Sequence, residues 1–184
     1  GLNHGASRPR AVRHLARAAR NVIIRIAGQA PWRQRALDEN PTYRETPGNM
    51  NNISELSERH IAQLHSLYQG EWWTRGRSLE DTRRCVRGSQ ICIGITSESD
   101  DLIGFVRVLT DFTFKAILFD VIVAPSERGK GLGHDLLTLA RNHERLQSVR
   151  HIELYCLPEM SAFYEKHGFS VDVGDVRLMR LIHA

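Results

Sequence analysis

VIVAPSERGKGLGHDLL, residues 121–137, places three glycines and two cations between an apolar strand-like run and an apolar helix-like run. Pro125 cannot continue a strand ladder, so the strand is expected to end there. The chain then turns through Arg128, Gly129, Lys130, Gly131, Leu132 and Gly133 into a helix predicted over 132–146. Leu136, Leu137, Leu139 and Ala140 form its apolar stripe. A helix N-terminus presents unpaired N–H groups and the positive end of a dipole. Glycines let the main chain approach an anion closely, and Arg128 and Lys130 add charge at the same point. Together these features describe a phosphate cradle. The alternative is a helix start with ordinary turn glycines. Neither the Walker pattern nor a Rossmann glycine fingerprint is present, because the loop follows a late strand and reads Arg-x-x-Gly-x-Gly.

On the N-terminal side of the loop, KAILFDVIV (115–123) reads as the strand that feeds it. QICIGIT and LIGFVRVLT are two further strand-like runs, separated by SESDD, which suits a hairpin turn. Ser57 can cap a helix reaching about Gln69, with Ile61, Leu64 and Leu67 inward. Ser78 and Asp81 resemble a capping box for a second helix. Beyond the loop, HIELYC is a strand, EMSAFYEKHG a short helix and VRLMRLI a final strand. The order predicts a mixed α/β domain with an antiparallel front half and an αβαβ back half.

The 184 residues, 41% hydrophobic, suit one compact domain with an extension. The net charge of +4 is unevenly distributed: residues 1–37 hold eight arginines and no acid, which leaves the remainder at −4. RAVRHLARAARNVIIRIAG in that arm has helical apolar spacing with arginines on or beside the other face, and Gly28 and Pro31 would stop it. The arm, taken as residues 1–45, could contact a neighbouring subunit, an anionic membrane or nucleic acid, or serve as a targeting segment. A boundary is expected near 40–50, and the main domain over 50–184. Three scattered cysteines argue against a disulfide framework and for a reducing, cytoplasmic setting. No His-x-x-x-His pair or Cys-x-x-Cys occurs, so no metal is expected.

The stretch VIVAPSERGKGLGHDLL resembles the acyl-CoA-binding motif of the GNAT superfamily of N-acyltransferases. SAFYEKHGF, 161–169, resembles that superfamily's second signature, in the expected order and with a strand between. The resemblance covers roughly 50–182. It implies a mostly antiparallel central sheet with splayed fourth and fifth strands, flanked by helices. It also implies an acetyl-CoA co-substrate whose pyrophosphate lies on the amides from Arg128 to His134, with Gly129, Lys130, Gly131, Leu132 and Gly133 between. The pantetheine arm would pair along Val121 and Val123, and a backbone N–H near Val123 would polarise the thioester carbonyl. Tyr164 would protonate the departing thiolate; the alternative is an aromatic core residue. An asparagine common in the family before this tyrosine is absent, with Leu157 near its place and Glu159 close by.

An alkylamine with a pKa near ~10.4 is nucleophilic in only about one molecule in a few thousand at neutral pH, so a base is useful. Asp120 is the first candidate because it interrupts an apolar strand; the alternative is a structural acid paired with an arginine or a backbone amide. Glu71 and Glu153 follow. In EWWTRGR, Trp72 and Trp73 could wall an acceptor pocket, and Arg75 and Arg77 could hold an acidic group or a phosphate; the alternative is an aromatic plug between helix and sheet. The expected reaction is acetyl transfer from acetyl-CoA to a small-molecule primary amine in a ternary complex, with a homodimer possible. The competing readings are a protein or peptide N-acetyltransferase and a non-enzymatic acyl-CoA sensor with a nucleic-acid- or membrane-binding arm.

Overall fold

The computed structural model describes residues 50–182, so the expectations for the basic arm fall outside the described residues. Five strands form one sheet in sequence order: β1 (Asn51–Ile53), β2 (Ile91–Thr96), β3 (Leu102–Thr110), β4 (Lys115–Val123) and β5 (His151–Leu154). The first four pair antiparallel, and β4 pairs parallel with β5. Residues 97–101 make the β2–β3 turn, with the Ser97 N–H donating to the Asp101 carbonyl at 2.9 Å.

Helix α1 (Glu58–Gln69) covers one face of the sheet, where Leu64 and Tyr68 pack on Leu102, Phe105 and Ile122. Helix α2 (Leu79–Arg87) lies beside it, with Val86 reaching the same cluster. Both begin at complete capping boxes. The Ser57 hydroxyl accepts from the His60 N–H at 3.2 Å, and the Ser78 hydroxyl accepts from the Asp81 N–H at 3.0 Å. Asp81 reaches back to the Ser78 N–H at 3.0 Å despite its short side chain. The larger core lies on the opposite face. There Leu132, Leu136, Leu137 and Ala140 of α3 (Leu132–Arg141) pack on Ile93, Val106, Val108 and Leu118. Among the described residues no helix is long and apolar enough to cross a membrane.

Four elements differ from the sequence expectation. Helix α3 ends at Arg141, and a 3-10 turn follows at Glu144–Leu146. There the His143 ring accepts from the Arg145 N–H at 3.2 Å, a local bond that competes with helix continuation. The short helix is α4 (Ser161–Glu165), preceded by a 3-10 turn at Pro158–Met160. Residues 176–182 form no strand: Val176, Leu178, Met179, Leu181 and Ile182 are exposed, and apolar patterning without a ladder partner does not make a strand. Strand β1 is three residues long and partly polar, and it exists through its pairing with β2, which local pattern does not reveal.

One irregularity matters for function. Phe105 pairs with Ile122 but Arg107 pairs with Phe119, so Asp120 and Val121 together oppose Val106. This is a β-bulge on β4, and Asp120 sits in it at φ 56°, in the left-handed region. The extra residue reverses the facing of the remainder of the strand. Ala116 and Leu118 belong to the α3-side core, whereas Ile122, four residues past Leu118, belongs to the α1-side cluster.

Candidate active site

The glycine loop has the geometry of an anion cradle. After a 3-10 turn at Pro125–Glu127, Gly129 and Gly131 take φ values of 77° and 98°, where a side chain is strained. Gly131 is the N-cap of α3 and no side chain caps the helix, in contrast to the two capping boxes on α1 and α2. The first intrahelical acceptor is the Gly131 carbonyl, which takes the Asp135 N–H at 3.1 Å. The amides of Leu132, Gly133 and His134 therefore precede the first helical bond. Lys130 rests on Glu127 at 3.1 Å. Gly133 requires a small residue for another reason. A Cβ there would stand 3.3 Å from the Phe163 ring, so the two sequence stretches that carry the family resemblance pack directly on each other.

Strand β4 supplies the neighbouring wall. Its pairing with β5 ends at Leu118–Leu154, so Phe119–Val123 continue without a β5 partner. The Ala124 N–H donates to the Ile103 carbonyl at 2.8 Å, which makes Val123 and Gly104 a non-hydrogen-bonded pair. Val123 therefore turns its N–H and C=O away from β3, toward the side where β5 has ended. The Arg128 Nε donates to the Val123 carbonyl at 3.1 Å on that side. Val121 and Val123 are partly buried against the α3-side core.

Tyr164 on α4 packs edge-on against Phe163 and Phe169, with ring centroids 5.1 and 6.1 Å away. Burial pushes its phenol above the ordinary value, with the neighbouring Cys156 adding to the effect. Tyr164 thus stays protonated at neutral pH. It also lines a cavity of about 750 Å³ between β5, α4 and residues 168–173. His167, buried beneath α4, lies 4.7 Å from the His134 ring; burial first, then His134 and Arg141, push its pKa down to about 4. An unfolded histidine binds protons near ~6.5, so the unfolded state gains protons first as pH falls. Folding stability should accordingly be full above that value and decline as pH drops from ~6.5 toward 4, by at most about 3 kcal/mol. Urea unfolding at several pH values checks this, and His167→Gln should flatten the curve within that window.

On the acceptor side the structure shows that two of the expected site residues bind each other. Asp120 is the centre of a buried hydrogen-bonded cluster. Its carboxylate accepts from the Tyr68 hydroxyl at 2.8 Å, the Arg107 Nε at 2.6 Å and the two Arg77 Nη atoms at 2.9 and 3.2 Å. Burial raises its pKa, but the hydrogen bonds from Arg77 and Arg107 outweigh it and hold the group below the ordinary carboxylate value. Arg77 is correspondingly half-buried in the same cluster. It is committed to Asp120 and lies over the Tyr68 ring at 4.7 Å and the Trp73 ring at 6.0 Å. Sequence reasoning missed Tyr68 and Arg107; an arginine inside the apolar run LIGFVRVLT was the available signal. Glu153 is ion-paired with Lys115. Glu71, between α1 and α2, pairs with Arg128 of the glycine loop. Trp72 is 66% exposed and Trp73 38%, and Arg75 is exposed.

Fold and site together define an α/β protein with a glycine-rich, uncapped helix start at a strand-to-helix turn, beside the point where two parallel strands part. Comparison with known proteins agrees: residues 88–171 match the acetyltransferase (GNAT) domain family. The N-acetyltransferase ycf52 of Porphyra purpurea is 28% identical over 130 residues, 69% of this chain and 74% of that protein. The chloroplastic serotonin N-acetyltransferase 2 of Oryza sativa subsp. japonica is 31% identical over 106 residues, 56% of this chain and 53% of that protein. A GNAT-family acetyltransferase structure from Xanthomonas campestris pv. campestris superposes with a TM-score of 0.64 at 24% identity, covering 72% of this chain and 94% of that one. Residues 88–171 therefore carry the acetyltransferase (GNAT) domain.

Proposed function

We propose that this domain moves the acetyl group of acetyl-CoA to the primary amine of a small, partly apolar or aromatic molecule. The observation that carries the donor assignment is the uncapped N-terminus of α3, entered through two left-handed glycines next to the unpaired end of β4. These residues suit a pyrophosphate: free amides, a helix dipole, and Arg128 and Lys130 nearby. Bound there, acetyl-CoA supplies an activated thioester. The Val123 N–H would polarise its carbonyl and Tyr164 would hand a proton to the departing sulfur. The amine nitrogen forms the new N–C bond, the C–S bond breaks, and the nitrogen's surplus proton passes to a base.

Glu71 is the carboxylate we assign to that base. Asp120 and Glu153 are tied to groups away from the glycine loop, whereas the partner of Glu71 is Arg128, a half-exposed cation that a bound phosphate would draw off. The exposed Trp72 and Trp73, on the same segment as Glu71, support an aromatic acceptor. The rice relative, named for a serotonin acetyltransferase activity, supports the same class.

The test is thiol release from acetyl-CoA across arylalkylamines, polyamines, aminoglycosides and lysine peptides. Arylalkylamines should turn over fastest. Glu71→Gln should lower kcat by ~10²-fold, a typical general-base contribution, and remove the acidic limb of the pH profile. Preference for the peptides would replace this reading with a protein acetyltransferase, and absence of acetyl-CoA binding at millimolar concentration would end it.

A further inference from the structure

We infer that Asp120 is a positioning residue: by gathering Tyr68, Arg77 and Arg107 onto the β4 bulge, it sets where the unpaired end of β4 stands relative to the acceptor-side segment 71–78. This inference rests on the acetyl-transfer reading above.

Four observations converge on it. First, Asp120 is a non-glycine residue at φ 56° inside a strand, a conformation that persists only when its surroundings hold it. Second, the holding groups come from three separate elements: Tyr68 from α1, Arg77 from the segment before α2, and Arg107 from β3. Each cation is also stacked, Arg77 over Tyr68 at 4.7 Å and Arg107 over Phe119 at 4.8 Å, so the cluster is locked by packing as well as charge. Third, the bulge begins at Asp120, two residues past the last β4–β5 pair, Leu118–Leu154, so the clamp sits next to the point where β4 loses its parallel neighbour. Fourth, Arg77 is on the segment that bears Glu71, Trp72 and Trp73, and Trp73 packs on Tyr68 with ring centroids 6.5 Å apart.

The carboxylate thus joins the strand that presents the Val123 N–H to the loop that presents the base and the aromatic wall. A shift at Asp120 moves both sides of the reaction relative to each other, although Asp120 touches neither reactant. Misplacing reacting groups by about an ångström costs roughly 10²-fold in rate, which is the scale expected here.

Asp120→Asn keeps the size and the tolerance for positive φ but removes the charge that gathers the arginines. It should lower kcat by ~10- to 100-fold and weaken acetyl-CoA binding by a smaller factor, since the pyrophosphate cradle at 128–134 lies outside the bulge and only the contacts along Val121 and Val123 are disturbed. The kcat pH profile should keep its shape. In the absence of any substrate, amide hydrogen exchange should accelerate over residues 119–124, including the Ala124 N–H that bonds Ile103, with β2 unchanged. Wild-type kcat with unchanged exchange would overturn the inference. So would loss of the acidic limb of the profile, which would make Asp120 the base, or a uniform rise in exchange through the sheet, which would mark plain destabilisation. If Asp120→Asn does not fold, Tyr68→Phe, which removes one donor from the carboxylate, is read by the same measurements. Exchange needs no activity, so a wild-type protein that fails to transfer acetyl groups would defeat the proposed function while the exchange result still decides the role of Asp120.

Discussion

Gly131→Val should weaken acetyl-CoA binding by at least ~100-fold, equivalent to about 2.7 kcal/mol. Two effects add. The residue sits at φ 98°, where a β-branched side chain costs on the order of 1–3 kcal/mol or forces the turn to relax. The new side chain would also stand at the mouth of the uncapped helix, where the phosphates need direct access to the amides. A Cβ at Gly131 meets no protein atom within 4 Å, so the substitution should leave the unliganded core packed and lower Tm only through the backbone strain, by roughly 2–12 °C. Gly131→Ala separates the two effects, because it carries the strain with far less bulk. Isothermal titration with acetyl-CoA is the measurement, and unchanged affinity in the valine variant would remove the loop from the donor site.

Tyr164→Phe should lower kcat by ~10²- to 10³-fold, the range of a general acid, with acetyl-CoA affinity unchanged within about twofold. The ring packs on Phe163 and Phe169, and phenylalanine preserves those contacts, so the loss isolates the hydroxyl. Burial already holds the phenol above its ordinary pKa, so wild-type turnover should not fail through tyrosine ionisation until well into alkaline pH. The variant should be insensitive over that alkaline limb. Equal turnover in the two proteins would assign the proton to water.

The glycine turn between β4 and α3 was legible in the sequence because its signals are local. A proline that stops a strand, glycines that permit left-handed turns and cations at a helix start all lie within ten residues of one another. The capping residues Ser57 and Ser78 were readable for the same reason, and β3 and β4 appear with the limits that their apolar runs suggest. The acceptor half was not legible. Glu71, Trp72 and Trp73 stand out by type, but which carboxylate is free depends on what folding brings against each one.

Asp120 shows where the division falls. From sequence it is an acid interrupting an apolar strand, equally suited to be a base or a structural partner. Its three partners lie 52, 43 and 13 residues away, and only the register of β3 on β4 and the docking of α1 bring them together. The bulge is hidden in the same way. Alternation along KAILFDVIV would place Leu118 and Ile122 on one face, but one extra residue sends them to opposite faces. The sequence by itself determined the α/β class, the glycine turn from strand to helix and the two stretches that carry the family resemblance, because each depends on neighbours along the chain. The tertiary structure alone decided that Asp120 binds Tyr68, Arg77 and Arg107, because a carboxylate's role is set by the charges that distant segments bring to it.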